Sequence, residues 1–192
     1  MYGWQVPPPR APTKSREELR REREQKVQRL LAQGLLRSER IKIAMLKVAR
    51  EDFLPRLYRD YAYWEVPLPL PGEMATISCP HSYPLFYEPL GLAEGQKFLE
   101  IGLGSGYGAA LAREIVGQTG LVVSMDIDPV TFVFDAISNG LGIAILSLSR
   151  ETEASGVLSW LHTTGFVSPL HAPKFLALYS NNSKAADDSS HR

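Results

Sequence analysis

A glycine-rich turn between an apolar run and a helix-like segment carries the clearest chemical potential in this sequence. Gly102, Gly104 and Gly106 have no Cβ, so the backbone there can turn tightly and approach a ligand closely. The first N–H groups of the following helix would point into the same crevice. Asp126 ends the next apolar run, 24 residues after Gly102, where its carboxylate can accept hydrogen bonds from both hydroxyls of a ribose. This combination predicts a site for an adenosine-containing ligand.

The spacing of the glycines separates two kinds of adenosine ligand. Residues 100–106 fit the acidic-x-Gly-x-Gly-x-Gly pattern of methyltransferases that use S-adenosylmethionine. The dinucleotide pattern fits only as Gly104, Gly106 and Ala109, two residues late, so an NAD-binding oxidoreductase fragment is the alternative. We expect Glu100 at the mouth of the site, where its carboxylate suits a cationic sulfonium and would repel a pyrophosphate. A Walker-type phosphate loop is excluded because no Gly-Lys-Ser/Thr follows the turn.

The elements around the turn read as one βαβ unit. Residues 97–101 predict a short buried strand, residues 107–116 a helix, and residues 121–125 a second buried strand closed by Asp126. The two strands should be parallel and adjacent, joined by a right-handed crossover. This arrangement belongs to the α/β class of folds.

The N-terminal third predicts helices and an irregular stretch. Residues 15–33 and 38–48 carry apolar side chains at helical spacing, with Ser38 as a possible cap of the second helix. Residues 53–75 are rich in proline and aromatic side chains and should be irregular but packed. Residues 1–14 are Pro-rich without periodicity, which predicts a disordered arm.

The composition and charge distribution of the chain limit the kinds of partner that it is expected to bind and the compartment in which it is expected to lie. Cys79 is the one cysteine, so neither an internal disulfide nor a thiolate zinc site is expected, and a reducing, cytoplasmic location is favoured. A charge run stands where a signal peptide would need apolar residues, and the longest apolar stretch, 141–148, is too short to cross a bilayer. Residues 1–60 hold 15 of the 21 Lys and Arg residues, but no base-reading motif accompanies them. We expect no metal, nucleic acid or membrane partner.

Three blocks of the chain resemble the protein-L-isoaspartate O-methyltransferases. They are residues 48–55, followed by the matching segments 61–63 and 67–70; residues 75–81; and residues 97–126. The blocks keep the order and spacing of that family over about residues 25–130. The resemblance implies a Rossmann-like class I methyltransferase fold with N-terminal helices and S-adenosylmethionine as the cofactor. It implies methyl transfer to the free carboxyl of L-isoaspartyl residues in damaged proteins. Separately, we expect the chain to be a monomer.

The resemblance also implies roles for particular residues. Ser78 occupies the position of the active-site serine, and its hydroxyl can orient the substrate carboxylate, which is already ionised near neutral pH. We expect His81 to be a structural hydrogen-bonding group, because no nucleophile-elbow context supports a covalent Ser–His mechanism. The remaining residues expected at the cofactor and substrate site are Ala75, Thr76, Ile77, Ser105, Asp126 and Ile127.

The resemblance stops at about residue 134. The third strand with its acidic turn, and the strands that should follow, are not recognisable in residues 135–192, where 141–148 reads equally as a strand or a buried helix. We therefore expect a truncated or divergent family member with an incomplete parallel sheet. A non-catalytic cofactor-binding or interaction module is the alternative function. The predicted organisation is an arm (1–14), a helical segment (15–60), the substrate loop with the first half of the cofactor domain (61–134), and a divergent segment with a disordered end (135–192).

Overall fold

The computed structural model describes residues 5–71 and 75–126 and the backbone of one further strand at 143–147. Ile127 and most of the predicted divergent segment lie outside the described residues. The described elements are α1 (Arg16–Ala32), α2 (Glu39–Lys47), two 3-10 turns (Arg50–Phe53 and Arg56–Tyr61), β1 (Leu68–Pro69), β2 (Thr76–Ile77), α3 (Ser82–Leu90), β3 (Lys97–Ile101), α4 (Tyr107–Val116), β4 (Leu121–Asp126) and β5 (Ile143–Ser147).

Both N-terminal helices form within a residue of their predicted bounds. A capping box starts α1, because the Ser15 hydroxyl accepts from the Glu18 N–H while the Glu18 carboxylate accepts from the Ser15 N–H. The core-facing side of α1 includes Leu19 and Val27, and α2 buries one apolar stripe that includes Ile41. Through these faces α1 packs against α2, and α2 also packs against α4.

Residues 5–14 are packed against the protein rather than extended as the predicted disordered arm. The Asp60 carboxylate is 1% exposed and accepts hydrogen bonds of 2.8 Å from both the N–H and the hydroxyl of Thr13. The Tyr61 hydroxyl donates to the backbone oxygen of Pro8 at 3.0 Å. The sequence prediction failed here because the partners lie almost fifty residues away, and no local periodicity signals them.

The Pro-rich stretch folds into short pieces, as the sequence indicated. After the two 3-10 turns, β1 and β2 form a two-stranded antiparallel hairpin in which Leu68 pairs with Ile77 and Pro69 with Thr76. Its second strand carries the predicted substrate segment, and α3 begins a few residues later.

The three-stranded parallel sheet, in the order β3-β4-β5, confirms the predicted βαβ unit. Phe98 pairs with Val122, and Val123 pairs with Ala144. The run 141–148, which the sequence left open between a strand and a buried helix, therefore contains a third parallel strand, β5. The prediction that β3 is buried was wrong, since its side chains are half-buried or exposed and Ile101 is 52% exposed. Among the described strands β3 pairs with β4 alone, which leaves it at the edge of the sheet.

Candidate functional site

The turn between β3 and α4 has the backbone conformation that its glycines permit. Gly102, Gly104 and Gly106 have φ values of +84°, +55° and +81°, in the left-handed region where a side chain would be strained. A Cβ built on Gly102 would meet nothing within 4 Å, so the turn presents bare backbone beside open space. Gly106 precedes the first residue of α4, whose unpaired N–H groups therefore begin at the turn.

Asp126 lies against this turn. Its Oδ2 accepts a hydrogen bond of 3.0 Å from the backbone N–H of Gly104. The parallel register explains the contact, because Ile101 pairs with Met125 and both strands therefore end at the same edge of the sheet. The glycine turn and the acidic strand end form one crevice, as the spacing of the sequence required.

Ser105 contributes to the turn differently from its neighbours. Its side chain is buried, and its hydroxyl accepts a hydrogen bond of 3.4 Å from the N–H of Tyr107. The hydroxyl thus satisfies one of the free donors at the start of α4. The structure places Ser105 in the predicted crevice through its backbone, while its side chain supports the helix.

The structure places the Glu100 carboxylate against β4 and the first turn of α4. Its Oε2 accepts from the Ser124 hydroxyl at 3.2 Å, and its Oε1 lies 2.2 Å from where a Cβ on Gly108 would stand. Burial raises the pKa of Glu100 to about 7, with the charge of Asp126 adding to the rise and hydrogen bonds from Ser124 and the Ala109 N–H opposing it. Glu100 therefore links the first turn of α4 to β4. The glycine at position 108, which leaves room for this carboxylate beside the helix, was the feature of the sequence that could have indicated the contact.

The predicted substrate segment 75–78 lies beside the glycine turn. Ile77 is buried and pairs with Leu68 of β1, whereas the other three residues of this segment are exposed. The backbone oxygen of Ala75 accepts from the N–H of Leu70 at 2.9 Å. The Leu70 side chain in turn reaches within 3.6 Å of the Cβ position of Gly104. Leu70 thus brings the hairpin and the turn into contact.

Ser78 is held through its backbone by a residue that the sequence analysis did not single out. The Ser78 oxygen accepts a hydrogen bond of 2.6 Å from Nη2 of Arg50, whose Nε donates to the oxygen of Ala62 at 2.7 Å. Arg50 is 1% exposed, and the Ser78 side chain is exposed. Arg50 stands in the first of the three matching blocks, which was the available signal.

His81 has a structural partner, as expected. Its Nδ1 lies 3.1 Å from Oε2 of Glu65, and its backbone N–H donates to Oε1 of the same carboxylate at 3.3 Å. Lys26 approaches that carboxylate at 3.6 Å, which links α1 to the loop before α3. Cys79 is buried beside this cluster, and burial raises the pKa of its thiol.

The residues that the structure describes hold neither a metal-binding cluster nor a membrane-spanning helix. No group of three His, Cys, Asp or Glu side chains there is arranged to hold a metal ion. None of the helices described is both long and apolar enough to cross a membrane. A cavity of about 570 Å³ lies between α1 and residues 63–66, and its lining includes none of the predicted site residues.

The sequence matches a known family over the region that contains this crevice. A model of the family described as protein-L-isoaspartate(D-aspartate) O-methyltransferase matches residues 21–137. The chain belongs to this family. Membership decides against the NAD-binding oxidoreductase, and the match ends close to residue 134, where the resemblance was expected to stop.

Individual relatives of the isoaspartyl methyltransferase family cover the same region. The chain is 46% identical over 107 residues to the protein-L-isoaspartate O-methyltransferase of Methanopyrus kandleri, a match covering 56% of this chain and 47% of the relative. It is 49% identical over 89 residues to protein-L-isoaspartate O-methyltransferase 1 of Archaeoglobus fulgidus, covering 46% of this chain and 41% of the relative. The chain thus spans about half the length of the curated relatives that it matches.

Solved structures agree with the fold. A protein-L-isoaspartate O-methyltransferase superposes with a TM-score of 0.58 at 31% identity, covering 66% of this chain and 42% of that chain. A Plasmodium falciparum protein described as a putative family member, solved with S-adenosyl-L-homocysteine, has a TM-score of 0.56 at 18% identity and covers 66% of this chain and 62% of its own. The fold is an incomplete Rossmann-like class I methyltransferase fold, as predicted.

Proposed function

We propose that this chain binds S-adenosylmethionine at the glycine turn and transfers its methyl group to the free carboxyl of L-isoaspartyl residues in damaged proteins. The observation that carries the proposal is the 3.0 Å hydrogen bond from the Gly104 N–H to Asp126, since it puts bare backbone and a carboxylate in one crevice. Family membership supports the reaction class, and the S-adenosyl-L-homocysteine in the Plasmodium falciparum structure supports the cofactor.

The residues around the crevice fit an adenosine and an amino-acid group. We assign Asp126 to the ribose hydroxyls, and the turn from Gly102 to Gly106, including Ser105, to the rest of the cofactor, because N–H groups and open space meet there. Ile127, outside the described residues, stays a proposed neighbour of the cofactor. Glu100 acts on this site indirectly, through the first turn of α4.

The cofactor would supply an electrophilic methyl group on a sulfonium. The substrate carboxylate is ionised near neutral pH, so the protein does not need a strong base. Its task is to hold the carboxylate oxygen in line with the methyl group, and misplacement by about 1 Å can cost about a hundredfold in rate. The hydroxyl of the exposed Ser78 can donate to that carboxylate. Ala75 and Thr76 are exposed beside it, and the buried Ile77 anchors the segment.

Radiolabelled methyl transfer tests the proposal directly. The full chain is incubated with labelled S-adenosylmethionine and an isoaspartyl peptide, with the matching aspartyl peptide as the substrate control. We expect label in the first peptide only, and at least a tenfold loss of rate in Ser78→Ala. Ser82→Ala, a serine four residues along at the start of α3, is the matched control and should keep the wild-type rate.

The outcomes separate catalysis from binding alone. Cofactor binding without transfer to either peptide would leave a non-catalytic cofactor-binding module, the alternative suggested by a chain that matches half of its relatives' length. Failure to bind S-adenosylmethionine would overturn the proposal.

We further propose that the chain acts as a monomer in the cytoplasm. The support is the single buried thiol of Cys79, which suits a reducing compartment. Light scattering on the purified chain would test the first point, since a mass of about twice 21.4 kDa contradicts it.

A further inference from the structure

Arg50 makes two directed hydrogen bonds from a fully buried position. It is the first residue of the 3-10 turn Arg50–Phe53 and is 1% exposed. Its Nη2 donates to the Ser78 oxygen at 2.6 Å and its Nε to the Ala62 oxygen at 2.7 Å. Because the guanidinium is planar and rigid, two bonds from one plane fix the separation of the two backbone segments.

The same guanidinium lies over two aromatic rings that lead to the glycine turn. Its central carbon is 5.3 Å from the ring centre of Tyr107 and 5.8 Å from that of Tyr83. The two rings meet edge to face, with centres 4.8 Å apart and planes at 88°. Since Tyr107 directly follows Gly106, a continuous set of contacts runs from the Ser78 backbone through Arg50 to the end of the turn.

A buried guanidinium is costly, so its surroundings matter. None of the ion pairs found among the described residues includes Arg50. Two carbonyl oxygens and two ring faces lie against its guanidinium, and its Nη1 is buried with no hydrogen-bond partner among the described residues. An apolar side chain would fill such a position at lower cost in desolvation. What the arginine adds is the fixed geometry of the Ser78 segment.

We propose that Arg50 is a positioning residue for methyl transfer, holding the Ser78 backbone at a set distance from the glycine turn. The inference rests on the proposed function, and Arg50 acts through Ser78. If the Ser78 segment drifts, its hydroxyl no longer aligns the substrate carboxylate with the methyl group, while the crevice formed by Asp126 and the turn remains.

Arg50→Lys tests the inference because it keeps the charge but cannot make both hydrogen bonds from one plane. We expect kcat per cofactor-binding molecule to fall about ten- to a hundredfold, with the cofactor Kd within about twofold of wild type. A merely structural role would reduce the number of folded molecules and leave kcat per cofactor-binding molecule unchanged. An unchanged kcat per cofactor-binding molecule would therefore overturn the proposal.

Arg23→Lys is the matched control. Arg23 is also largely buried and donates to a backbone oxygen, that of Leu46 at 2.8 Å. It also pairs with the Glu51 carboxylate at 3.3 Å, but neither contact reaches the Ser78 segment. We expect this variant to lose stability and to keep the wild-type kcat per cofactor-binding molecule. An equal fall in kcat in both variants would contradict a specific role for Arg50.

Amide hydrogen exchange gives a readout that does not depend on activity. In Arg50→Lys the amides of residues 76–82 should exchange at least tenfold faster than in wild type, whereas in Arg23→Lys they should not. If the wild-type chain transfers no methyl group, the proposed function fails and exchange still decides the role of Arg50. Wild-type exchange rates at residues 76–82 of Arg50→Lys, together with a wild-type kcat, would overturn the role proposed for Arg50.

Tyr83→Leu serves if Arg50→Lys does not fold. This variant removes one of the two rings beside the guanidinium and leaves both hydrogen bonds in place. We expect a smaller change in the same direction, a severalfold fall in kcat with faster exchange at residues 76–82. Wild-type values for both would overturn the proposal.

Discussion

The backbone N–H of Gly104 donates a hydrogen bond of 3.0 Å to Oδ2 of Asp126. The carboxylate proposed to bind the ribose therefore also contacts the turn proposed to hold the rest of the cofactor. The contact joins β4 to the turn after β3, so the shape of the crevice depends on a single side chain at the end of a strand.

Asp126→Ala should weaken S-adenosylmethionine binding at least tenfold. Each lost hydrogen bond to a charged group is worth about 1.5–3 kcal/mol, and the variant also frees the Gly104 N–H. Asp126→Asn, which retains one oxygen acceptor, should lose less. Isothermal titration measures both, with Asp52→Ala as the control because Asp52 is exposed in a 3-10 turn. Equal Kd values for the Asp126→Ala and Asp52→Ala proteins would contradict the assignment.

Glu100 should make stability depend on pH around neutrality. Burial raises its pKa from an ordinary 4.5 to about 7, so the folded protein holds this proton more tightly than the unfolded chain does. The favourable contribution is complete below pH 4.5 and is lost as pH rises through about 7. Glu100→Gln has no carboxyl group to ionise at this position, so its stability does not fall in this way as the pH rises. Its free energy of unfolding, relative to wild type, should rise between pH 5 and pH 8 by up to about 3 kcal/mol.

Urea denaturation of wild type and Glu100→Gln at both pH values measures this difference. Glu114→Gln, which removes a half-buried carboxylate of α4 that pairs with Lys47 of α2, is a control for general charge effects. A relative free energy that is the same at pH 5 and pH 8 would contradict the raised pKa of Glu100.

Gly108→Ala should destabilise the protein by about 1–3 kcal/mol, although alanine favours helices. The new Cβ would stand 2.2 Å from Oε1 of Glu100 and must displace that carboxylate. In a Glu100→Ala background the tight neighbour left is the Tyr87 hydroxyl at 3.3 Å, so the same substitution should cost much less. Thermal unfolding of the four proteins completes the cycle, and an equal cost of Gly108→Ala in both backgrounds would disprove the contact.

Asp60→Asn should release the N-terminal residues 5–14. Burial alone would raise the pKa of Asp60, but hydrogen bonds from Thr13 and Lys14 and the charge of Arg10 outweigh it and lower the pKa below 3.8. The stabilising contribution is therefore present above pH 3.8 and lost as pH falls through the folded-state pKa. At pH 7 we expect a loss of about 1.5–3 kcal/mol.

Limited proteolysis and urea denaturation at pH 7 check this prediction. Cleavage within residues 5–14 should become faster in Asp60→Asn than in Asp52→Asn, which alters an exposed carboxylate eight residues earlier. Equal cleavage rates would show that the Asp60 carboxylate does not hold the segment.

The sequence by itself determined the features that depend on neighbouring residues. The capping box at Ser15, the glycines with positive φ between β3 and α4, and the order strand, turn, helix, strand all follow from local conformational preferences. The place of Asp126 beside the turn was also predictable, because two adjacent parallel strands of similar length end at one edge.

Only the tertiary structure decided where side chains go when the partner is distant in sequence. Glu100 lies within the predicted strand, yet its carboxylate turns to Ser124 and Gly108 because α4 leaves space there. Arg50 reaches Ser78 across 28 residues, and residues 5–14 are held by a carboxylate more than forty residues away. Such contacts depend on how separate elements pack, and local patterns of polarity and propensity carry no information about that packing.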